Sequence, residues 1–166
     1  MEVLPLVMPR IERRGVLRSA LDGSLRGAGG ILPGDVLAVT SKVVSFDEGR
    51  LVELAGVRPT MRAQLLAKRA GVDPAFARVV LDEADHIFGA VPGAIVTLKG
   101  GHLIANAGAD LSNAPPGCAV LWPKDAWASA ERLRGWGGMS LLSSWRISPF
   151  QLLSRSPRSL RGGRYT

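Results

Sequence analysis

The chain has little of several residue types, and each shortage excludes a class of protein. A single cysteine among 166 residues, Cys118, excludes a framework of intramolecular disulfides. With only two histidines, His86 and His102, a zinc site built from cysteine and histidine is disfavoured as well. Aromatic residues make up 5% of the chain, so we expect a mostly aliphatic core. These shortages favour a globular protein of a reducing compartment, and we take the cytoplasm as the default.

The sequence also lacks the features of membrane-bound and secreted proteins. No run of 18 or more apolar residues occurs, so we expect no transmembrane helix. In the opening stretch MEVLPLVMPRIERRG the basic residues follow the apolar run, whereas a signal peptide carries them before it. We therefore expect neither secretion nor a membrane partner.

Acidic residues are missing from the end of the chain, since none follows Glu131. The net charge of +7 would suit a nucleic-acid partner, but its distribution argues against one. Residues 1–134 carry 16 basic and 14 acidic groups, a net of +2, while residues 135–166 carry five arginines. We predict a domain over 1–134, followed by a basic Ser/Arg/Gly-rich tail over 135–166 that is disordered or out of frame.

Helical and strand patterns both occur before residue 135. Apolar spacing and capping residues predict helices over 15–27, 59–71, 73–85 and 125–135. Short apolar runs predict strands over 2–8, 36–40, 50–54, 94–98, 102–106 and 119–122. Gly100 and Gly101 suit the turn of a hairpin. The predicted fold class is α/β mixed (α+β), with helices packed on a mixed sheet.

Two stretches contain residues that could carry chemistry. In GDVLAVTSKVVS, Ser41 and Lys42 follow a predicted buried strand, where a hydroxyl and an ammonium can hold phosphate oxygens. In ANAGADLSNAPPG, Asp110 offers oxygen ligands suited to magnesium or manganese, and Asn113 offers a donor and an acceptor. Taken alone, each stretch is also compatible with a purely structural role, as a solvated strand end and as an Asx-type turn.

The order of four motifs resembles one family. GDVLAVTSKVVS, EGR, NAGADLSN and SAERLR follow one another as in the coenzyme F420-0:L-glutamate ligases, the gamma-glutamyl ligases of deazaflavin coenzyme maturation. The loop MPRIERRGVL looks like an early segment of the same family. The resemblance covers residues 1 to about 134 and concerns only the N-terminal part of a longer family, so we expect this chain to be truncated relative to it.

This resemblance implies a function and a site. Such ligases use GTP and a divalent cation, manganese or magnesium, to activate a carboxylate of the deazaflavin precursor as an acyl phosphate, which the amine of L-glutamate then attacks. It also implies a homodimer. By motif position, Asp110 would contact the metal, and no catalytic residue can be assigned. The residues implied to lie near the nucleotide are Met8, Pro9, Arg10, Ile11, Ser41, Lys42 and Asn113.

The sequence departs from the family pattern in three places. Phe46 stands where the family often has lysine, and Arg10 stands where it usually has an apolar residue. Ser143 and Ser144 stand where a second metal-binding acid is expected. We therefore expect a truncated or frameshifted product with weak or no ligase activity. The alternatives are a non-catalytic remnant that binds a partner and, third, a nucleic-acid binder that uses its basic tail.

Overall fold

Five helices and five strands follow one another in the computed structural model, which describes residues 3–11, 13–32 and 34–136. In chain order they are α1 (Leu17–Gly27), α2 (Ser41–Asp47), β1 (Leu51–Glu53), α3 (Met61–Ala70), α4 (Pro74–Glu83), β2 (His86–Val91), β3 (Ala94–Lys99), β4 (His102–Ala105), β5 (Cys118–Val120) and α5 (Ala126–Trp136). The α+β fold class is confirmed. Ser143, Ser144 and nearly all of the predicted tail lie outside the described residues.

The strands form two small antiparallel sheets rather than one sheet of mixed direction. Strands β2, β3 and β4 are neighbours in that order, and Lys99 pairs with His102 across the predicted hairpin turn. Gly100 and Gly101 occupy that turn with φ of 55° and 78°, a left-handed conformation that glycine adopts at little cost. The second sheet pairs β1 with β5, which brings Leu51 opposite Val120.

Helices α3 and α4 pack with the larger sheet around the first of two cores. Thr60 caps α3 by accepting a hydrogen bond from the Ala63 amide, and Gly71 ends that helix with a φ of 68°. Asp73 caps α4 through bonds of 2.7 and 3.0 Å from two backbone amides, at the start of the helix predicted over 73–85. The large buried side chains of this core are Leu66, Phe76, Val80, Ile95 and Leu121, the last of which follows β5.

Helices α1 and α2 pack with the N-terminal segment, residues 3–11, around a second core, which consists of two adjoining clusters that share Met8, Val39 and Leu133. Leu17 and Leu21 of α1 are 1% and 2% exposed, at the spacing that places them on one helical face. Val44 of α2 and Ile11 of the N-terminal segment pack against Leu17. Leu133 of α5 lies against this same core. Residues 3–11 form no helix or strand, and packing of side chains such as Ile11 therefore holds this segment in place.

Four features of the predicted secondary structure are wrong. Residues 3–8 form no strand, and Pro5 there lacks the amide that a central strand would need. The run 36–40 contains only one isolated bridging residue, Val36, before α2 begins. Strand β2 was not predicted, because its apolar pattern is broken by Gly89 and a bulge lies there. Helix α5 also continues through Gly135, which was expected to close it.

Candidate functional site

A cleft of about 830 Å³ lies between the N-terminal segment, α2 and the loop that follows Asp110. This volume is in the range of pockets that hold a nucleotide-sized ligand. The described residues lining it come from three places in the sequence: Leu6, Met8, Pro9, Arg10 and Ile11; Thr40, Lys42, Val43, Phe46 and Leu51; and Ser112, Asn113, Ala114 and Pro115. The walls of the cleft thus come from segments that are far apart in the sequence.

Helix α2 presents Lys42 to this cleft. Val44 and Ser45 are buried on the inner side of the helix, and the Ser45 hydroxyl donates a 2.8 Å hydrogen bond to the Ser41 carbonyl. Because successive helical residues are about 100° apart, Lys42 lies on a different face from Val44. Its side chain is 27% exposed. The T-S-K motif therefore acts from the first turn of a short helix and not, as predicted, from the end of a strand.

The ammonium of Lys42 donates a hydrogen bond to the carboxylate of Asp110, forming an ion pair between residues 68 apart in sequence. The Asn113 amide donates to the same carboxylate oxygen over 2.8 Å. The backbone amide and the hydroxyl of Ser112 each donate to the other oxygen over 2.8 Å. Both carboxylate oxygens of Asp110 therefore accept hydrogen bonds, and the Asx-type turn considered for this loop is present alongside the ion pair.

The surroundings of Asp110 favour its charged form. Burial raises the pKa of the Asp110 carboxyl, but hydrogen bonds from Lys42, Asn113 and Ser112 together lower it well below its usual value. Asp110 thus remains a carboxylate throughout the neutral and mildly acidic range. It serves as an acceptor for donors and positive charge and is unsuited to donating a proton at neutral pH.

Gly108 allows the chain to approach Trp122 just before Asp110. Its φ is 76°, and a β-carbon at this position would lie 2.8 Å from the Trp122 ring, too close for any other residue. The Asp110 backbone then forms a two-way bridge with Val120, with N–O distances of 2.9 Å in both directions. The glycine of the NAG motif therefore has a packing role. The backbone bridge fixes the position of the Asp110 main chain, from which the carboxylate extends.

The EGR and SAERLR motifs hold distant parts of the chain together, and no residue of either motif lines the cleft within the described residues. The Glu48 carboxylate accepts hydrogen bonds from the Ser129 hydroxyl and the Arg132 guanidinium, which ties α5 to the end of α2. Arg50 donates to Glu83 over 2.5 Å and to the Trp122 carbonyl over 3.0 Å. These motifs are explained by the fold, because they hold the elements that carry the cleft walls.

The structure brings together most of the predicted site. Met8, Pro9, Arg10, Ile11, Lys42 and Asn113 all line the cleft, and Asp110 contacts two of them. Ser41 is not among the described lining residues, although its neighbours Thr40 and Lys42 are. Two of the departures from the family pattern, Arg10 and Phe46, line the cleft, and Phe46 adds an apolar surface there.

Several lining residues were not identified from the sequence. Leu6, Val43, Leu51 and Pro115 are apolar and carry no chemical signature. The Ser112 side chain could have been found, since it lies between the two polar residues of the NAGADLSN motif. Apolar positions of a cleft are recognised only when the elements that bear them are seen to meet.

The described residues do not form a complete site for a divalent cation. They contain no cluster of three or more histidine, cysteine, aspartate or glutamate side chains. Asp110 supplies one carboxylate, whereas magnesium is held at six positions and manganese likewise prefers several oxygen ligands. Here Asp110 is neutralised by Lys42 instead. A cation at Asp110 would therefore need further oxygen ligands, from water, from a bound phosphate or from other parts of the chain.

Fold and site together define an α+β domain with a ligand-sized cleft in which a lysine and a carboxylate meet. None of the helices in the described ranges is long and apolar enough to cross a membrane. The family model described as F420-0:Gamma-glutamyl ligase matches residues 5–136. The chain belongs to this family, as its motif order had indicated.

Curated relatives agree with this assignment. A coenzyme F420:L-glutamate ligase of Methanopyrus kandleri is 46% identical over 102 residues, which cover 61% of this chain and 40% of that protein. The protein of the same name from Methanothermobacter thermautotrophicus is 32% identical over 133 residues, covering 80% of this chain and 52% of that protein. The chain thus spans about half, or less, of the length of the curated relatives it matches.

Proposed function

We propose that this chain binds GTP in the described cleft and takes part in adding L-glutamate to the deazaflavin coenzyme F420 precursor. The relatives are named as ligases for this coenzyme and glutamate. The observation that carries the proposal is the contact between Lys42 and Asp110, which unites the two most informative motifs at the wall of one cleft. Arg10 lines the same cleft and adds positive charge.

Lys42 is suited to a phosphate group. An ammonium has three donors, so it can hold Asp110 and still present hydrogen-bond donors to the cleft. Its charge would be balanced by phosphate oxygens or by Asp110, which limits the cost of keeping it partly buried. Asn113 would contribute its amide oxygen, and Met8 to Ile11 would contact the rest of the nucleotide by packing.

The proposed reaction has two steps. A carboxylate of the precursor attacks the γ-phosphorus of GTP, which forms an acyl phosphate and releases GDP. The amine of L-glutamate then attacks the acyl carbon, which forms the amide and releases phosphate. The residues of the cleft would position and neutralise the phosphate oxygens, and such positioning accounts for most catalysis of phosphoryl transfer. Manganese or magnesium would assist as cofactor, with Asp110 as one of several oxygen ligands.

Nucleotide binding can be measured apart from turnover. Isothermal titration of the full chain with GTP, with and without manganese, is expected to show binding that Lys42→Met weakens about tenfold, the loss of one charged hydrogen bond. Lys68→Met makes the same chemical change on the exposed face of α3 and is expected to leave the affinity unchanged. Absence of GTP binding by the unsubstituted chain would refute the proposal.

Turnover separates the enzyme from a non-catalytic family member. The assay contains GTP, manganese, L-glutamate and the deazaflavin precursor, and mass spectrometry detects the precursor extended by glutamate. Release of GDP together with this product supports ligase activity of this chain. GTP binding without product would favour the alternative of a non-catalytic, partner-binding member. The single acid beside the cleft in the described residues is consistent with that alternative, because a metal-dependent ligase needs more oxygen ligands.

A further inference from the structure

Three consecutive residues just before Asp110 adopt left-handed backbone conformations. Asn106, Ala107 and Gly108 have φ of 55°, 51° and 76°. For alanine this conformation costs about 1 kcal/mol or more, because its β-carbon approaches the backbone. Ala107 is also fully buried. Such a turn persists only where contacts with neighbouring residues offset its conformational cost. The residues that make these contacts therefore support the turn.

The support consists of one buried hydroxyl and one amide side chain. The Thr97 hydroxyl on β3 accepts a 2.9 Å hydrogen bond from the Ala107 amide and donates one of 2.5 Å to the Ile104 carbonyl. Thr97 is fully buried, so these bonds have no competition from solvent. The Asn106 side-chain oxygen accepts a 2.8 Å hydrogen bond from the Ile95 amide. Both side chains therefore fasten the turn to β3.

The turn directs the chain toward the cleft. The Ala109 amide donates to the Asn106 carbonyl over 2.9 Å, which closes the turn one residue before Asp110. Strand β4 ends at Ala105, and Asp110 pairs with Val120 next to the other sheet. The left-handed residues thus connect the larger sheet to the smaller one, and this connection places the Asp110 carboxylate within hydrogen-bonding distance of Lys42.

We infer that Thr97 and Asn106 are positioning residues of the cleft, which set the place of the Asp110 carboxylate and of the Ser112 and Asn113 donors through the 106–108 turn. Neither side chain lines the cleft. Their effect on nucleotide binding rests on the proposed function, whereas their effect on the geometry of Asp110 does not. A buried threonine in β3 therefore matters to ligand binding through a carboxylate 13 residues later in the sequence.

The test replaces the hydroxyl alone. Thr97→Val keeps the shape of the side chain but leaves the Ala107 amide without its acceptor, and Thr97→Ser retains the hydroxyl as the matched control. The amide proton of Ser112, which donates to Asp110, reports the local geometry by NMR in the full chain without ligand. We expect its resonance to move in Thr97→Val and to stay in Thr97→Ser, with GTP affinity lowered about tenfold in the first variant only.

A second variant keeps the inference testable if Thr97→Val does not fold. Asn106→Gly tolerates the positive φ and removes only the bond to the Ile95 amide, so it is expected to move the same resonance in a stable protein. If the Ser112 resonance stays unchanged in folded variants while the melting temperature falls, the two residues stabilise the sheet and position nothing. If the resonance moves but the unsubstituted chain binds no GTP, the positioning role stands and the proposed function fails.

Discussion

The ion pair between Lys42 and Asp110 is the contact on which the site depends, and a double-mutant cycle measures it directly. The single changes are Lys42→Met, which keeps an unbranched apolar side chain, and Asp110→Asn, which keeps the shape of the carboxylate. Neither side chain is fully exposed, at 27% and 23%. Water therefore screens the pair less than it screens a surface pair, and each single change leaves its partner without a counter-charge.

The expected coupling energy is about 1 kcal/mol at pH 7. Exposed pairs are worth about 0.2–1 kcal/mol, and hydrogen bonds to charged groups about 1.5–3 kcal/mol. A partly exposed pair with three additional donors on Asp110 should fall between these ranges, because those donors already offset part of its charge. The coupling is obtained from urea unfolding of the four proteins at low and high salt.

The coupling should depend on pH in one direction. The folded state lowers the pKa of Asp110, so the stability that its charge contributes is complete above the ordinary aspartate pKa of about 4. This contribution is lost progressively as pH falls below that value toward the folded pKa. Measurements at pH 7 and pH 5 are expected to agree, and the value should decline below about pH 4.

The exposed pair of Arg78 and Asp82 on α4 provides the control. Its carboxylate is 54% exposed, so the same substitutions there are expected to give a smaller coupling that salt largely removes. Coupling at Lys42 and Asp110 no larger than at this surface pair, or coupling that grows on acidification, would refute the reasoning. The site would then be held by the turn and the backbone bridge of Asp110 alone.

Two further predictions concern the framework of the site. Gly108→Ala is expected to destabilise the protein by more than Gly100→Ala, since both have positive φ but only the first would clash with Trp122; equal losses of melting temperature would contradict this. Glu48→Gln is expected to speed hydrogen exchange in α5, because it removes the charged acceptor of that helix. Glu131→Gln is the control: its side chain is on α5 itself and 60% exposed, so this change should alter hydrogen exchange little. Similar exchange rates in both variants would exclude the role given to Glu48.

Much of the fold follows from local chemistry. The caps at Thr60 and Asp73 and the Gly100–Gly101 turn are specified by residues close in sequence, and the two helices and the hairpin turn were predicted in place or nearly so. Strand β2 was not predicted, because Gly89 interrupts its apolar pattern. The run 36–40 was wrongly predicted as a strand, because its apolar residues are continuous. Periodicity does not tell a strand from an extended segment that packs by tertiary contacts.

The sequence by itself determined the family, through the order of its motifs, and identified Lys42, Asp110 and Asn113 as the polar residues to examine. Tertiary structure decided that Lys42 neutralises Asp110, since no local rule relates residues 68 apart. It also separated motifs that line the cleft from those, such as the one containing Glu48, that fasten α5 to α2. Residue types fix which chemistry is available, but only packing decides which side chains meet.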